Sequence, residues 1–195
     1  MTTGSHLIAP GDFWRPFRGF AYSAFRLETL QNYAGSGEDE ELAAFAAGRP
    51  QPPSQDAAEW AAMLRANRDA GKTQQRVHVV VEPLTDYLRY ELTWAYEANV
   101  AAGEDTRIIP VTGEPWPPGL PREDYWLFDS SELYHLHYRQ DGTWLGAEHI
   151  AEPELIVNAC RWRDAALHHG ISWKDYIARH PELHPYVSSL KTLTV

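Results

Sequence analysis

The sequence predicts an α/β (α+β) domain with a small mixed β-sheet flanked by helices, and three adjacent segments carry this prediction. A β-branched run over residues 76–82 ends at Pro83 and reads as a strand. An amphipathic helix follows a capping threonine, Thr85, and ends at Gly103. A second apolar run covers residues 106–111. Strand–helix–strand units usually place their strands in parallel, so we expect ligands near the carboxyl ends of these strands.

A short strand is predicted over residues 22–28, because apolar and charged side chains alternate there. Arg26 and Glu28 then share one face of the strand. A helix that continues to Tyr33 fits the same residues almost as well. The sequence leaves both interpretations open.

The segments on either side complete a single predicted domain over residues 1–195. Its core is residues 13–178, and the tails 1–12 and 181–195 are expected to be irregular. Six aromatic residues within positions 13–25 predict a short turn that closes one side of the sheet. The remaining predicted elements are helices over 38–48 and 54–71, a hairpin formed by 125–129 and 133–138, an edge strand over 144–150, and helices over 152–170 and 173–180.

Composition excludes several classes of protein. The formal net charge of -10 repels phosphate backbones, so we expect no direct nucleic-acid partner. No apolar run approaches the roughly 18 residues of a membrane span, which predicts a cytoplasmic protein with no membrane partner. The single cysteine rules out a disulfide framework. Eight tryptophans exceed what packing needs and indicate an aromatic-lined cavity or an interface.

No motif specifies a reaction, a metal or a cofactor. His135 and His137 share a face if their segment is a strand, but no acidic or cysteine ligand stands nearby at metal-binding spacing. A nucleophile elbow, a phosphate-binding glycine loop and a dinucleotide fingerprint are absent from the sequence. We therefore predict neither a metal nor a cofactor, and the sequence leaves a homodimer open.

The helix after Thr85 contains the most informative polar residue of the chain. A helical wheel places Glu91 and Asn99 inside an apolar arc, whereas Arg89 and Thr93 lie opposite. The arc consists of Leu84, Leu88, Leu92, Ala95, Ala98 and Ala102. An unpaired carboxylate is costly in such a position. Glu91 should therefore pair with an arginine such as Arg26 or Arg76, or have a raised pKa.

The predicted ligand site gathers six residues from several elements: Arg26, Glu28, Arg89, Glu91, Trp126 and Asp129. Arg26 is expected to bind an anionic group, Glu91 to orient Arg26, and Trp126 to offer a stacking surface. Asp129 ends a strand, where turn formation is the alternative explanation. Candidates for a catalytic carboxylate are Glu28, Glu91 and Asp129.

Several short segments, taken in order along the chain, carry a resemblance to a known family. They are Phe25-Arg-Leu-Glu28, the run from Arg76, Pro83-Leu-Thr-Asp-Tyr-Leu-Arg-Tyr-Glu91, Asn99, Ala102-Gly-Glu104, Arg107 and Asp124-Tyr-Trp-Leu-Phe-Asp129. Together they resemble a domain of unknown function that is widespread in actinobacteria and typically encoded near helix-turn-helix regulators. The resemblance covers about residues 13–178 and implies a regulatory or signalling role without an established reaction.

The order strand, helix, strand and hairpin is also similar, more distantly, to one half of a phospholipase D-like fold. That superfamily's His-x-Lys motif is missing, because the run before Asp129 reads Asp124-Tyr-Trp-Leu-Phe. This departure puts a hydrolase of that type in doubt and favours a ligand-sensing relative.

Three functions follow as hypotheses. The first is a cytoplasmic regulatory or ligand-sensing protein that binds a small molecule or a helix-turn-helix regulator, and it requires an enclosed pocket. The second is an enzyme, a hydrolase or a small-molecule biosynthetic enzyme, and it requires a carboxylate of raised pKa facing that pocket. The third is an acidic protein-interaction subunit, which should expose an apolar patch.

Overall fold

The structure is a computed structural model that describes residues 7–35, 37–113 and 115–187. Within these residues a single mixed sheet has seven strands, in the order β6-β5-β4-β1-β2-β3-β7. The strands are β1 (Ser23–Glu28), β2 (Thr73–Glu82), β3 (Asp105–Thr112), β4 (Asp124–Phe128), β5 (Glu132–Tyr138), β6 (Trp144–Ile150) and β7 (Ile171–Ser172). The predicted mixed α/β fold is confirmed.

Helices connect and cover the strands. They are α1 (Arg15–Gly19), α2 (Asp39–Ala46), α3 (Gln55–Asp69), α4 (Asp86–Tyr90), a π-helical turn (Glu91–Ala95), α5 (Tyr96–Ala102), α6 (Pro153–His169) and α7 (Trp173–Arg179), with 3-10 helices at Pro10–Asp12 and Pro181–Tyr186. Among the described residues, none of the helices combines the length and apolar character that crossing a membrane requires.

The centre of the sheet consists of three parallel strands, because β1 pairs with β2 and β2 pairs with β3 in parallel. The predicted strand–helix–strand unit is therefore confirmed. The helices α2 and α3 make a similar connection between β1 and β2. The hairpin of β4 and β5 and the edge strand β6 add antiparallel pairs on the other side of β1, as predicted.

The two faces of the central strands differ in chemistry. On one face, Phe25 and Leu27 of β1 join an apolar cluster with Ala159 and Ala166 of α6. On the other face, register pairs Arg26 with Arg76 and Glu28 with His78. The strand interpretation of residues 22–28 is thus correct, and this second face carries buried charges.

The long helix after β2 departs from a uniform α-helix. The side chain of Thr85 caps it by accepting a hydrogen bond from the Leu88 N–H at 3.1 Å, as predicted. The π-helical turn then inserts an extra residue, which rotates the following side chains relative to a regular wheel. Thr93, predicted on the polar side, is completely buried, whereas Ala98, predicted in the apolar arc, is exposed. Tyr96 takes the buried position instead.

The ends of the described chain are more ordered than predicted. Pro181–Tyr186 forms a 3-10 helix whose Leu183 is buried in an apolar cluster with α7. Near the other end, Ile8 forms a bridge with Ala147 of β6. Such short segments show no apolar periodicity, so the sequence did not reveal these contacts. The remaining predicted tail residues, 1–6 and 188–195, lie outside the described part.

The aromatic segment near the N-terminus packs on the body, as predicted, although it contains the helix α1 rather than a turn alone. Phe13, Phe17 and Phe20 are buried against the rings of Trp126 and Phe128. This cluster closes one side of the polar face of the sheet.

Candidate functional site

A cavity of about 1040 Å³ lies between the polar face of the sheet and the helices α3 to α5. Arg26, Glu28 and Arg76 project into it from the sheet. The helices contribute Trp60, Glu91 and Trp94 among others. The cavity thus lies over the face of the sheet, not beyond the carboxyl ends of the parallel strands where we expected a ligand.

Arg26 is held by two carboxylates. Its Nη2 donates to Asp124 Oδ2 at 2.7 Å and to the Tyr138 hydroxyl at 3.0 Å, and its Nε donates to Glu28 Oε1 at 3.3 Å. Asp124 is itself fixed, since the hydroxyl of Tyr33 donates to its Oδ2 at 2.7 Å. Burial by itself lowers the pKa of Arg26, but Tyr138, Asp124 and Glu28 more than offset burial and raise it.

Arg76 joins the same network from the neighbouring strand. Its Nε and Nη2 donate to the two carboxylate oxygens of Glu104 at 3.1 and 3.3 Å. Its Nη1 donates to Glu28 Oε1 at 2.5 Å. Glu28 therefore lies between two guanidinium groups. Burial raises the pKa of Glu28, but Arg76 and Arg26 outweigh burial and hold it well below its ordinary value.

His78 connects Glu28 to the helix through defined hydrogen bonds. Its Nε2 lies 2.7 Å from the carbonyl oxygen of Leu30, which only accepts, so Nε2 carries a proton. The hydroxyl of Tyr96 donates to Glu28 Oε2 at 2.7 Å and lies 2.8 Å from His78 Nδ1. When the hydroxyl proton of Tyr96 goes to Glu28, the Tyr96 oxygen is left to accept from Nδ1, and this arrangement favours His78 as an imidazolium.

The pKa of His78 agrees with this assignment. Burial alone lowers it, but the carboxylates of Glu91 and Glu28 and the hydrogen bond to Leu30 raise it to about 8. The imidazolium is therefore the main form at neutral pH.

Glu91 pairs with His78 and not with an arginine. Its Oε2 lies 3.2 Å from His78 Nδ1, and the Tyr87 hydroxyl donates to its Oε1 at 3.5 Å. Arg26 is instead oriented by Glu28 and Asp124, so the predicted pairing of Glu91 with Arg26 is wrong. Burial raises the pKa of Glu91, the charge of Glu28 adds to this, and His78 opposes it.

Two polar atoms in this network are buried without a hydrogen-bond partner among the described residues, namely Arg26 Nη1 and Glu91 Oε2. Glu91 Oε2 nevertheless has an ionic partner, since it lies 3.2 Å from His78 Nδ1. Buried polar groups in native proteins are nearly always paired. Both atoms are shielded from the accessible space of the cavity, so Arg26 Nη1 is left as a buried donor without a partner among the described residues.

Trp126 is buried but does not line the cavity. It lies on the same face as Arg26, in register with it across β1 and β4. Its ring centroid is 5.8 Å from the guanidinium carbon of Arg26 and 5.9 Å from that of Arg76. Trp126 therefore supports the two arginines from within the aromatic cluster, in place of the stacking surface we expected.

Arg89 and Asp129 lie away from the cavity. Arg89 is half-buried at the end of α4 and does not line the cavity. The carboxylate of Asp129 accepts backbone hydrogen bonds from Ala21, Tyr22 and Ser23 at 2.6 to 2.8 Å. The alternative explanation, turn formation, accounts for Asp129, which adopts a φ of 50° and ties the hairpin to the start of β1.

The side chains of Glu28, His78 and Glu91 each offer a possible metal-ligand atom, and these atoms lie within 4.8 Å of one another. Sequence spacing could not reveal this group, since its members come from β1, β2 and the π-helical turn. Glu28 Oε1 already accepts from two guanidinium groups, at 2.5 and 3.3 Å. Their positive charge opposes a divalent cation at this position, and the group is better suited to an ion-pair network.

The sequence analysis missed several members of the network as site residues, among them His78, Tyr96 and Glu104. Their signal was weak but present, because His78 interrupts a valine run and Glu104 follows the glycine that ends the helix. Tyr96 gave no signal, since the π-helical turn brings it to the buried side.

Comparison with known proteins agrees with the sequence resemblance at the level of family. No curated protein matches this chain significantly. The family described as "Domain of unknown function (DUF6879)" matches residues 11–178, which include every strand of the sheet and every charged residue of the cavity network. The chain belongs to this family of proteins with a domain of unknown function.

Proposed function

We propose that this protein binds a small molecule in the cavity beside Arg26 and Glu91 and acts as a ligand-sensing regulatory protein. The observation that carries the proposal is the cavity itself, because its lining joins the buried charged residues Arg26, Glu28, Arg76 and Glu91 to several aromatic rings. A concave site with a few polar groups among apolar and aromatic walls is typical of small-molecule binding.

The dimensions and walls of the cavity support a small ligand. Its volume of about 1040 Å³ is at the upper end of ligand sites in proteins, which run from about 300 to 1,000 Å³. Aromatic side chains such as Tyr33, Trp60, Trp94 and Tyr138 line it. Such rings provide apolar contact area, while few polar groups fix the orientation.

The regulatory part of the proposal rests on the resemblance to actinobacterial proteins encoded near helix-turn-helix regulators. A net charge of -10 favours a basic protein partner over DNA itself, so a regulator protein is the expected recipient of the signal in the cytoplasm. The more distant likeness to a phospholipase D-like half-domain concerns the fold alone and supports no reaction. Asp129, the counterpart of that superfamily's aspartate, is occupied by three backbone N–H groups.

An enzyme is the second candidate, and one observation favours it. Glu91 lines the cavity, and its pKa is raised by burial, which is the condition for a general base near neutral pH. Glu28 is a poor candidate for this role, because two arginines lower its pKa. Asp129 is outside the cavity. Glu91 is therefore the carboxylate on which the enzyme hypothesis rests.

Small molecules released from the denatured protein, measured by mass spectrometry, test the proposal. Ala98 lines the cavity and is exposed, so Ala98→Trp adds a bulky ring at a lining position that is not part of the charged network. Ala101 is an exposed alanine of the same helix that does not line the cavity, and Ala101→Trp is the matched control.

We expect one metabolite to be enriched with wild type and with Ala101→Trp and to be lost with Ala98→Trp. Equal recovery from all three proteins, or enrichment of nothing, would contradict binding in this cavity. Turnover of the enriched molecule on re-addition to wild type, lost in Glu91→Gln, would favour the enzyme over the sensor.

A further inference from the structure

We propose that the positive charge of His78 holds the π-helical turn in place, so that loss of its proton above neutral pH lets the turn relax and changes the shape of the cavity. The inference rests on the proposed function, because it names a regulation of the same cavity. His78 does not line the cavity, but it contacts two residues that do, Glu91 and Tyr96.

The His78 ring joins the sheet to the helical wall of the cavity. Its Nε2 donates to the carbonyl oxygen of Leu30, just after β1, at 2.7 Å. Its Nδ1 lies 2.8 Å from the hydroxyl oxygen of Tyr96 and 3.2 Å from Glu91 Oε2. The residue is completely buried, so bulk water is not at hand to replace a lost contact.

The two helical partners of His78 mark the ends of the π-helical turn. Glu91 is its first residue, and Tyr96 directly follows its last residue. The Tyr96 N–H donates to the Glu91 carbonyl oxygen, which is the hydrogen bond across five residues that defines a π-helix. In a regular α-helix, side chains five residues apart point about 140° apart around the axis. The π-helical phase is therefore what brings both side chains to the same imidazole nitrogen.

The charge of His78 makes this convergence favourable. The Tyr96 hydroxyl donates to Glu28 Oε2 at 2.7 Å, so its oxygen needs a donor, and only a protonated Nδ1 supplies one. Glu28 and Glu91 each have a carboxylate oxygen within 4.8 Å of the other. Without the imidazolium these two carboxylates lose the cation that they share and repel each other. Both changes favour release of the turn from the sheet.

The neighbouring ions on the sheet keep their charges as pH rises through neutrality. Burial raises the pKa of Glu28, but Arg76 and Arg26 outweigh burial and hold it well below its ordinary value. Burial lowers the pKa of Arg76, but Glu104 and Glu28 more than offset burial and raise it. On the other side of β2, the residue paired with His78 is Ile108, which carries no charge.

The tyrosines around His78 and Glu91 stay neutral, because burial and nearby carboxylates raise the pKa of their hydroxyls. They are Tyr33, Tyr87 and Tyr96. Glu91 changes its charge on the acidic side, since burial raises its pKa from 4.5. Burial lowers the pKa of His78, but Glu91 and Glu28 raise it from 6.5 to about 8. A proton on His78 therefore favours the paired arrangement by about 30-fold over one without these partners.

NMR titration of the ¹⁵N-labelled full chain from about pH 6 to about pH 9.5 tests the switch. We expect the backbone amides of residues 96–102 to shift with the same midpoint as the His78 ring, near pH 8, whereas those of α6 do not follow it. In His78→Gln, which lacks the charge at every pH, the same amides should stay near their high-pH positions. The control His168→Gln, at an exposed histidine of α6, should titrate like wild type over residues 96–102.

The variant Glu91→Gln gives a second test that holds even if circular dichroism shows His78→Gln to be unfolded. It removes the carboxylate charge that raises the pKa of His78, so the midpoint of the ring and of the amides should move together to lower pH. Glu40→Gln, at an exposed glutamate, changes the net charge equally and should leave the midpoint where it is.

Three results would overturn the switch. The amides of residues 96–102 could fail to follow His78 in wild type, they could titrate unchanged in His78→Gln, or the midpoint of Glu91→Gln could equal that of wild type. None of these readouts uses a ligand, so recovery of a metabolite from wild type but not from Ala98→Trp still decides the proposed function by itself. A metabolite recovered at about pH 7 should be lost at about pH 9, and equal recovery at both would reject regulation of the cavity by His78.

Discussion

Glu28 is the hub of the buried network, and replacing it with glutamine should destabilise the protein strongly. Its carboxylate accepts hydrogen bonds from Arg26, Arg76 and Tyr96, and it lies 3.9 Å from His78 Nδ1. The substitution Glu28→Gln keeps the volume but removes the charge that balances three cations. The free-energy cost of removing these three cations from water is then only partly offset by their remaining ion pairs.

The expected magnitude follows from the burial of the pairs. The Glu28 side chain is 7% exposed, and those of Arg26 and Arg76 are 4% and 10% exposed. Removing one partner of a buried ion pair costs about 3 to 5 kcal/mol. For a domain of this size that corresponds to a fall in Tm of about 6 to 20 °C.

Urea unfolding followed by tryptophan fluorescence measures this change, and Glu40→Gln, at an exposed glutamate, serves as the control. A second readout is specific to the network, because loss of Glu28 should also lower the pKa of His78 in an NMR titration. Destabilisation of Glu28→Gln by less than about 1 kcal/mol, with His78 unchanged, would refute the network as the source of stability.

Two further perturbations test residues whose roles the structure reassigns or defines. Asp129→Ala should lower the unfolding free energy by about 2 kcal/mol, because three backbone N–H groups lose a charged acceptor, and should leave binding in the cavity unchanged by calorimetry; altered binding at full stability would contradict the turn role. The pKa of His78 is raised from 6.5 to about 8 on folding, so its stabilising contribution is complete below pH 6.5 and lost as pH rises through 8. The pKa of Glu91 is also raised on folding, so the stability that Glu91 contributes is likewise lost as pH rises above its unfolded pKa of 4.5. Urea unfolding measured from about pH 5.5 to about pH 9 should lose about 2 kcal/mol from His78, and a profile without this fall would contradict a charged His78 in the folded protein.

The helix after Thr85 illustrates how far local patterns reach. Its start, its end at Gly103 and the strands on either side were predictable, because capping residues and apolar runs act over a few neighbouring positions. Its buried face was predicted correctly at Leu88, Leu92 and Ala102. Between the last two the π-helical turn changes the phase, so that Tyr96 is buried and Ala98 is exposed, and nothing in the pattern of residues indicates such a turn.

The candidate site, too, was only partly predictable from the sequence. Glu91 stood out, because a carboxylate in an apolar arc demands a partner. The identity of that partner depended on strand register, which sets His78 beside Glu28 and directs Arg26 to Asp124. Asp129 resembled a site residue only through its position at the end of a strand. Its three backbone contacts come from residues more than a hundred positions away in the chain.

By itself, the sequence determined the mixed α/β class, most of the strands and helices, and the presence of charged residues that have to be buried. These properties depend on side-chain polarity and on hydrogen bonds between near neighbours in the chain. Only the tertiary structure decided which charges neutralise one another and which side chains line the cavity. The physical reason is that buried electrostatic pairing depends on distances of a few ångströms between separate elements, and these distances are set by strand register and helix phase.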